Sequence, residues 1–229
     1  MISLTLAATF FIAIHLFISG TALRNRLVER FGEKTYMGMF SMMSVIGLIW
    51  MILAYHSAPY IELWGQVTSA RWLSSLLIFS AFVFLVLGLL SPNPTAIGGE
   101  ALLKKDEPAR GIFRITRHPF LMGFAIWSIT HMIYNGDLSS NIFFGSFLML
   151  SIFGPAAIDK KLRLSCGKDW LRFADKTSIV PFIAIMEQHN SIEIKELLSW
   201  RLAAAIVIYI VVFKLHSFMF GVAPIIVAS

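Results

Sequence analysis

The stretch GIFRITRHPFLMGFAIWSITHMIYNGD, residues 111–137, opens basic, becomes an apolar run and closes on polar residues, with His118 before the run and His131 near its end. Pro119 stands where a helix accepts proline, in the first turn. An apolar helix bracketed by ionisable rings belongs either to a core or to a membrane, and the rest of the chain decides which. Of 229 residues, 57% are hydrophobic and 14% charged, and mean hydropathy is +0.75. A soluble domain carries roughly 25% charged residues. The composition is that of an integral membrane protein.

Each crossing of a bilayer needs roughly 20 mostly apolar residues. Six runs qualify as expected spans: 3–20, 36–55, 72–90, 120–134, 142–158 and 202–220. They are continuously apolar, without the two-residue alternation of outer-membrane strands, so an all-α polytopic helix bundle is expected, with the whole of 1–229 as one transmembrane domain. Charge placement supports this count. The segment 22–34 holds four Lys or Arg, 91–117 five and 159–200 seven, whereas 56–71 holds one and 135–141 none. By the positive-inside rule, the rich loops are cytoplasmic and both termini periplasmic, in a bacterial inner membrane. The net charge of +6 then reflects topology and anionic lipid. No basic stretch interleaved with aromatics marks a nucleic-acid surface.

The first run lacks the basic leader of a signal peptide and is followed by arginines, so it reads as a retained span. Leu23, Leu27 and Phe31 are spaced for a short interfacial helix ended by Gly32. Residues 91–117, rich in Pro and Gly, should be irregular. In 159–200, Leu162, Trp170 and Phe173 are expected to anchor an amphipathic helix at the interface, and PFIAI (181–185) to dip towards lipid. The single cysteine, Cys166, allows no internal disulfide and is expected to be exposed.

An ionisable side chain inside a span is costly enough to be a functional candidate by default. His15 shares a helical face with Ala8, Phe11, Ser19 and Ala22, and His131 with Gly123, Phe124, Trp127, Ser128 and Tyr134. Such faces, one small and one aromatic, would accept a flat macrocycle, and neutral imidazole is an axial ligand of haem iron. The alternative is that each histidine bonds a serine, Ser19 or Ser128. By position His15 lies near the inner end of its span and His131 near the outer end of its own, a depth difference of ~10 Å at ~1.5 Å per residue. His216, near the outer end of the last span, is a reserve ligand; His56 and His189 are loop residues. At TRHP, Arg117 and His118 precede a helix start, which attracts anions, and an Arg fork suits carboxylate or phosphate. No Asp or Glu lies deep in a span, which argues against a carboxylate-lined ion pathway.

LRNRLVERFGEKTYMGMFSMMS, SPNPTAIGGE, GIFRITRHPFLMGFAIWSITHMIYNGD, IDKKLRLSCGKDWLRFADKTSIVPFIAI and LHSFMFGVAPI, in this order, resemble the blocks of the NnrU family. These are bacterial inner-membrane proteins associated with nitric oxide and nitrite respiration, so the resemblance implies a link to denitrification. The same blocks are similar to 15-cis-ζ-carotene isomerase, a membrane haem b enzyme, which implies His15 and His131 as iron ligands and a hydrophobic, polyene-like substrate. That isomerase has a cysteine three residues before its second histidine, where this chain has Ser128. A broader likeness, of G.F...RHP...G followed by D..L...CG..W..F, is to isoprenylcysteine carboxyl methyltransferases. It implies S-adenosylmethionine held by Arg117, His118 and Pro119, whereas Phe124 and Trp127, on the His131 face, are the expected aromatic walls of a haem site. Those enzymes carry an acidic pair where this chain has Asp159 and Lys160. The expectation is therefore a haem b protein with isomerase or nitric-oxide-linked chemistry, the alternatives being a methyltransferase and a non-enzymatic assembly factor.

Overall fold

The computed structural model describes residues 1–18, 21–67, 69 and 71–224. Among these the chain is helical: α1 Ile2–Ala13, continued by a π turn Ile14–Ile18, α2 Ala22–Phe31, α3 Glu33–His56, α4 Arg71–Leu90, α5 Ile112–Ile115, α6 Pro119–Asn135, α7 Leu138–Asp175, α8 Ile183–Met186, α9 Ile194–Leu197 and α10 Trp200–Phe220. The only sheet-type contact among the described residues is one antiparallel bridge, Glu62 with Asp137. The all-α membrane bundle expected from the sequence is the fold.

Four of these helices, α3, α4, α7 and α10, are long and apolar enough to cross a membrane, and five elements are if Ile2–Ile18 and Ala22–Phe31 form one bent span. The run expected to span at 120–134 is α6, with 17 residues. At ~1.5 Å per residue it covers about 25 Å, short of a ~30 Å hydrocarbon core. The span expected at 142–158 instead continues to Asp175, broken only at Gly167, whose φ of 50° and ψ of −115° are not helical. Nothing from Asp159 to Cys166 opposes helix, since Lys, Leu and Arg propagate it well. Leu162, Trp170 and Phe173 are therefore not interfacial anchors. They are buried together with Leu103 and Ala109, and Cys166 packs half-buried beside them. The expected interfacial helix is α2, capped by Thr21, whose Oγ1 accepts from Leu23 N, and closed by Gly32 at φ 83°.

The chain divides into two compact units, Met1–Val67 with His131–Ala157, and Thr68–Thr130 with Ile158–Ser229. In the first, α1 packs along α3. Gly47 lies so close to Phe10 that a Cβ there would stand 3.0 Å from its ring, the small-residue contact that membrane helices use. The loop 61–67 is tied to the α6–α7 turn: the amides of Leu63, Trp64 and Gly65 all reach the Gly136 carbonyl, Val67 N donates to Tyr134 O, Leu138 N donates to Ile61 O, and the Trp64 indole donates to Ile133 O.

In the second unit α10 packs on α4, with the Tyr209 hydroxyl donating to Ser75 O at 3.2 Å. Gly123 of α6 lies against α4, where a Cβ would meet Leu85 Cγ at 2.6 Å. Ile112, Phe113 and Ile115 of α5 join Phe84, Val86, Leu87 and Ala205 in an apolar core. PFIAI is anchored on this core at one side, where Phe182 N donates to Ile115 O and Ile185 packs on the same cluster, while the Phe182 and Ile183 side chains are exposed. Beside it the Glu196 carboxylate gathers Arg110 Nε, Gly111 N and both Nε and Nη2 of Arg114. The Arg114 hydrogen bonds, more than offsetting partial burial and helped by Gly111 N, lower the Glu196 pKa to about 2.

Inside the spans, several serine hydroxyls are satisfied within their own helices. Ser44, Ser80, Ser146 and Ser151 each donate to the carbonyl four residues back, as hydrocarbon surroundings require.

Two consequences are measurable in detergent. Gly136 has φ 65°, and a Cβ there would lie 1.9 Å from Gly65 O. Gly136→Ala is expected to destabilise the protein by more than about 1 kcal/mol, seen as a lower unfolding midpoint. Glu196 has its pKa depressed from 4.5 to about 2, so its contribution is complete above pH ~4.5 and lost as pH falls through ~2. The Tm gap between the native chain and Glu196→Gln should be open at pH 6 and close on acidification through that window.

Candidate functional site

Two groups of candidate residues emerge, one in each unit. In the second unit, α5 ends at Ile115, and Thr116 turns the chain extended at φ −152° and ψ 144° before α6 starts at Pro119. A residue preceding proline is pushed out of the helical region, so His118 lies outside the helix and its ring is turned inward, with 3% of the residue exposed. Thr116 Oγ1 donates to Ile179 O at 2.6 Å, and Arg117 N donates to Ser178 O, fixing this corner against 177–179.

Asp159 of α7 occupies the anion position of the RHP corner. Its Oδ2 accepts from Arg117 Nε at 2.9 Å and its Oδ1 from His118 Nε2 at 2.7 Å. Arg117 Nη1 also donates to Thr177 O at 2.6 Å, and its guanidinium lies 6.0 Å from the Trp170 ring centre. The expected anion at this helix start is thus the chain's own carboxylate. Lys160, which sequence comparison set against the second acid of the methyltransferases, is exposed. The partner missed at the sequence level was Asp159. Its only signal was an acid at the apolar end of the DKK run, forty-two residues from Arg117.

Beside this corner lies a cavity of about 290 Å³ lined by residues that include His118, Asn93, Thr95, Phe120, Leu89 and Ala96. Thr95 Oγ1 donates to Asn93 Oδ1 at 2.8 Å and approaches Arg117 O at 3.4 Å. Phe124 and Trp127 lie beyond it on α6 and continue an edge-on series from Phe120, with ring centres 5.1 and 5.9 Å apart.

The first unit contains both His15 and His131. His15 sits on the π turn, a wider turn often found at functional positions. Its Nδ1 must carry the proton, since it donates to the Phe11 carbonyl at 2.7 Å. Phe11 and Phe40 pack on the ring at 4.5 and 5.2 Å between centres. His131 stacks on Phe144 at 4.5 Å and 20°. The two histidines end one unbroken path of aromatic contacts, through Phe11, Phe147, Phe143 and Phe144, with successive centres 5.1 to 5.6 Å apart between the phenylalanines. Tyr55 stacks on Phe143 at 4.7 Å, its hydroxyl 2.9 Å from Ser140 Oγ.

The serine alternative fails at Ser128, whose hydroxyl is fully buried with no hydrogen-bond partner; Ser19 lies outside the described residues. His216 belongs to the second unit, where its Nδ1 donates to Val222 O at 2.8 Å. It is therefore not gathered with His15 and His131 within the first unit. No group of three or more His, Cys, Asp or Glu forms a metal site among the described residues.

The family model described as NnrU protein matches residues 3–224. The chain belongs to the NnrU family. Among curated proteins it is similar to the chloroplastic 15-cis-zeta-carotene isomerase of Zea mays, 28% identical over 159 residues, which is 68% of this chain and 43% of that protein. It is also similar to the chloroplastic 15-cis-zeta-carotene isomerase of Arabidopsis thaliana, 32% identical over 77 residues, 34% of this chain and 21% of that protein. This NnrU chain thus spans less than half the length of these relatives. No solved structure matches it. Together with the apolar helices, the family match makes this a multi-pass membrane protein.

The Asp159 arrangement makes a direct prediction. Asp159→Ala leaves Arg117 and a buried His118 without their acceptor and should cost about 3 kcal/mol. Lys160→Ala, at an exposed position, should change stability by less than about 0.5 kcal/mol. Unfolding midpoints of the two variants in the same detergent check the contrast.

Proposed function

We propose that this chain is a membrane isomerase of hydrophobic, polyene-like molecules that holds haem b through His15 and His131, in a bacterial inner membrane with both termini on the periplasmic side. The observation that carries the reading is the presence of both histidines in one compact unit, joined by continuous aromatic packing. The donor chemistry fits haem. A ligating histidine ordinarily donates its other ring N–H to a carbonyl or carboxylate, and His15 makes such a bond to Phe11 O. The apolar void near this turn, lined by Ile14, Phe40 and neighbours, measures about 60 Å³. A macrocycle therefore takes its place by displacing side chains rather than by filling that void.

Haem b, when bound, supplies a redox-active iron. The protein's own contribution is to hold the His15 imidazole in a defined tautomer, to surround both rings with phenylalanines, and to present apolar helix surface from which a polyene enters out of the bilayer. The relatives named as 15-cis-zeta-carotene isomerase support the substrate class. Ser128 stands where that isomerase pattern has cysteine, so any thiolate contribution is removed from the proposal. A nitric-oxide-linked role would use the same histidine pair and is separated by substrate assays. The methyltransferase reading has less support, because the Arg117 donors that would grip the carboxylate of S-adenosylmethionine are held by Asp159 and Thr177.

The test is an absorption spectrum of detergent-purified protein, oxidised and then reduced with dithionite. A Soret band with resolved α and β bands is expected, lost in His15→Ala and His131→Ala and kept in His216→Ala. A colourless protein from haem-replete cells would overturn the haem assignment and favour the assembly-factor reading.

A further inference from the structure

The cavity beside the RHP corner is independent of the haem reading and has its own chemistry. Asp159 accepts from His118 Nε2 at 2.7 Å. When the ring is neutral, donation to this carboxylate puts the proton on Nε2 and leaves Nδ1 an acceptor. Among the described residues Nδ1 has no hydrogen-bond partner: the other contacts of His118 run through its backbone, from N to Thr116 Oγ1 and from Met122 N to O. The side chain is 2% exposed, yet the residue lines the cavity. An unpaired acceptor beside a cavity is a position that a hydrogen-bond donor, water or ligand, fills.

The other polar groups narrow the ligand. Arg117 already balances the Asp159 charge at 2.9 Å, so the corner calls for no further ion. The Asn93 side-chain amide, whose Oδ1 accepts from Thr95 N and Oγ1, has no hydrogen-bond partner for its NH₂ among the described residues. The site thus offers one acceptor and one donor, the complement of a hydroxyl, which both donates and accepts. The remaining wall is apolar, from Leu89, Pro119, Phe120, Leu121 and Ile158. Leu89 is 68% exposed and ends α4, a helix able to span the membrane, so the cavity mouth adjoins lipid-facing surface. A volume of about 290 Å³ falls at the low end of ligand pockets, suited to a head and the first part of a tail.

We propose that this cavity binds an uncharged amphipathic alcohol, its hydroxyl donating to His118 Nδ1 and its tail running along α4 into the bilayer. Only binding is claimed, with no bond made or broken.

The probe pair is 1-decanol and its methyl ether, which keeps the shape but has no O–H to donate, with 1-butanol as a water-soluble alcohol. Each is titrated into the full chain in nanodiscs labelled with ¹⁵N-histidine, the His118 signals being assigned by their loss in His118→Phe. The expected result is a saturable shift of the Nδ1 resonance with decanol, at least tenfold weaker with the ether. Ala96→Trp and Leu89→Trp, which fill the cavity from exposed positions without touching the dyad, should weaken decanol binding at least tenfold while the unfolding midpoint holds. Decanol much tighter than butanol assigns the ligand to the membrane, and equal binding per molecule assigns it to a soluble alcohol. Equal responses to decanol and ether, or cavity-filling variants that titrate like the native chain, would overturn the proposal.

Discussion

The Asp159 carboxylate, shared between Arg117 and His118, is the interaction on which the second unit's corner depends. A guanidinium facing inward needs an anion, an inward imidazole N–H needs an acceptor, and a carboxylate at the base of a spanning helix needs a cation. One pair of contacts under 3 Å answers both needs. Because the partners come from an extended turn and from a helix far along the chain, the contact also fixes the start of α6. The Arg117 carbonyl then lies within reach of Thr95, and the adjoining cavity is defined by the same residues.

In the first unit the controlling constraint is different. Around His15 and His131 the packing is aromatic, and a ring nitrogen or hydroxyl that enters is best answered locally. His15 Nδ1 is answered by a carbonyl of its own helix, and Tyr55 by Ser140. Asp137, at the start of α7, is buried, which raises its pKa. The Ser139 and Ser140 side chains outweigh that, and the net pKa is lowered. This local satisfaction lowers the cost of facing apolar surface to lipid, and it fixes the tautomer of His15.

The fold class was legible in the sequence because it follows from composition and run length, which are local. The α2 helix was readable from Leu23, Leu27, Phe31 and Gly32, since spacing and a terminator are local as well. Legibility failed where a residue's role depended on what it meets. Leu162, Trp170 and Phe173 have the same spacing whether they rest on a membrane interface or on Leu103 and Ala109. Arg117 has the same fork whether it awaits a ligand or holds Asp159. Six apolar runs were visible, yet among the described residues α3, α4, α7 and α10 alone reach spanning length as single helices; α6 falls short because proline at 119 and the turn at Gly136 set where it begins and ends.

The sequence by itself determined that this is a helical membrane protein with two histidines in apolar surroundings, because hydropathy, charge asymmetry and helical period are properties of neighbours along the chain. Only the tertiary structure decided that His15 and His131 share a unit while His216 does not. It also decided that His118 faces a cavity with Asp159 behind it. Those facts depend on contacts between residues tens of positions apart, and no local pattern records the distance between side chains that only folding brings together.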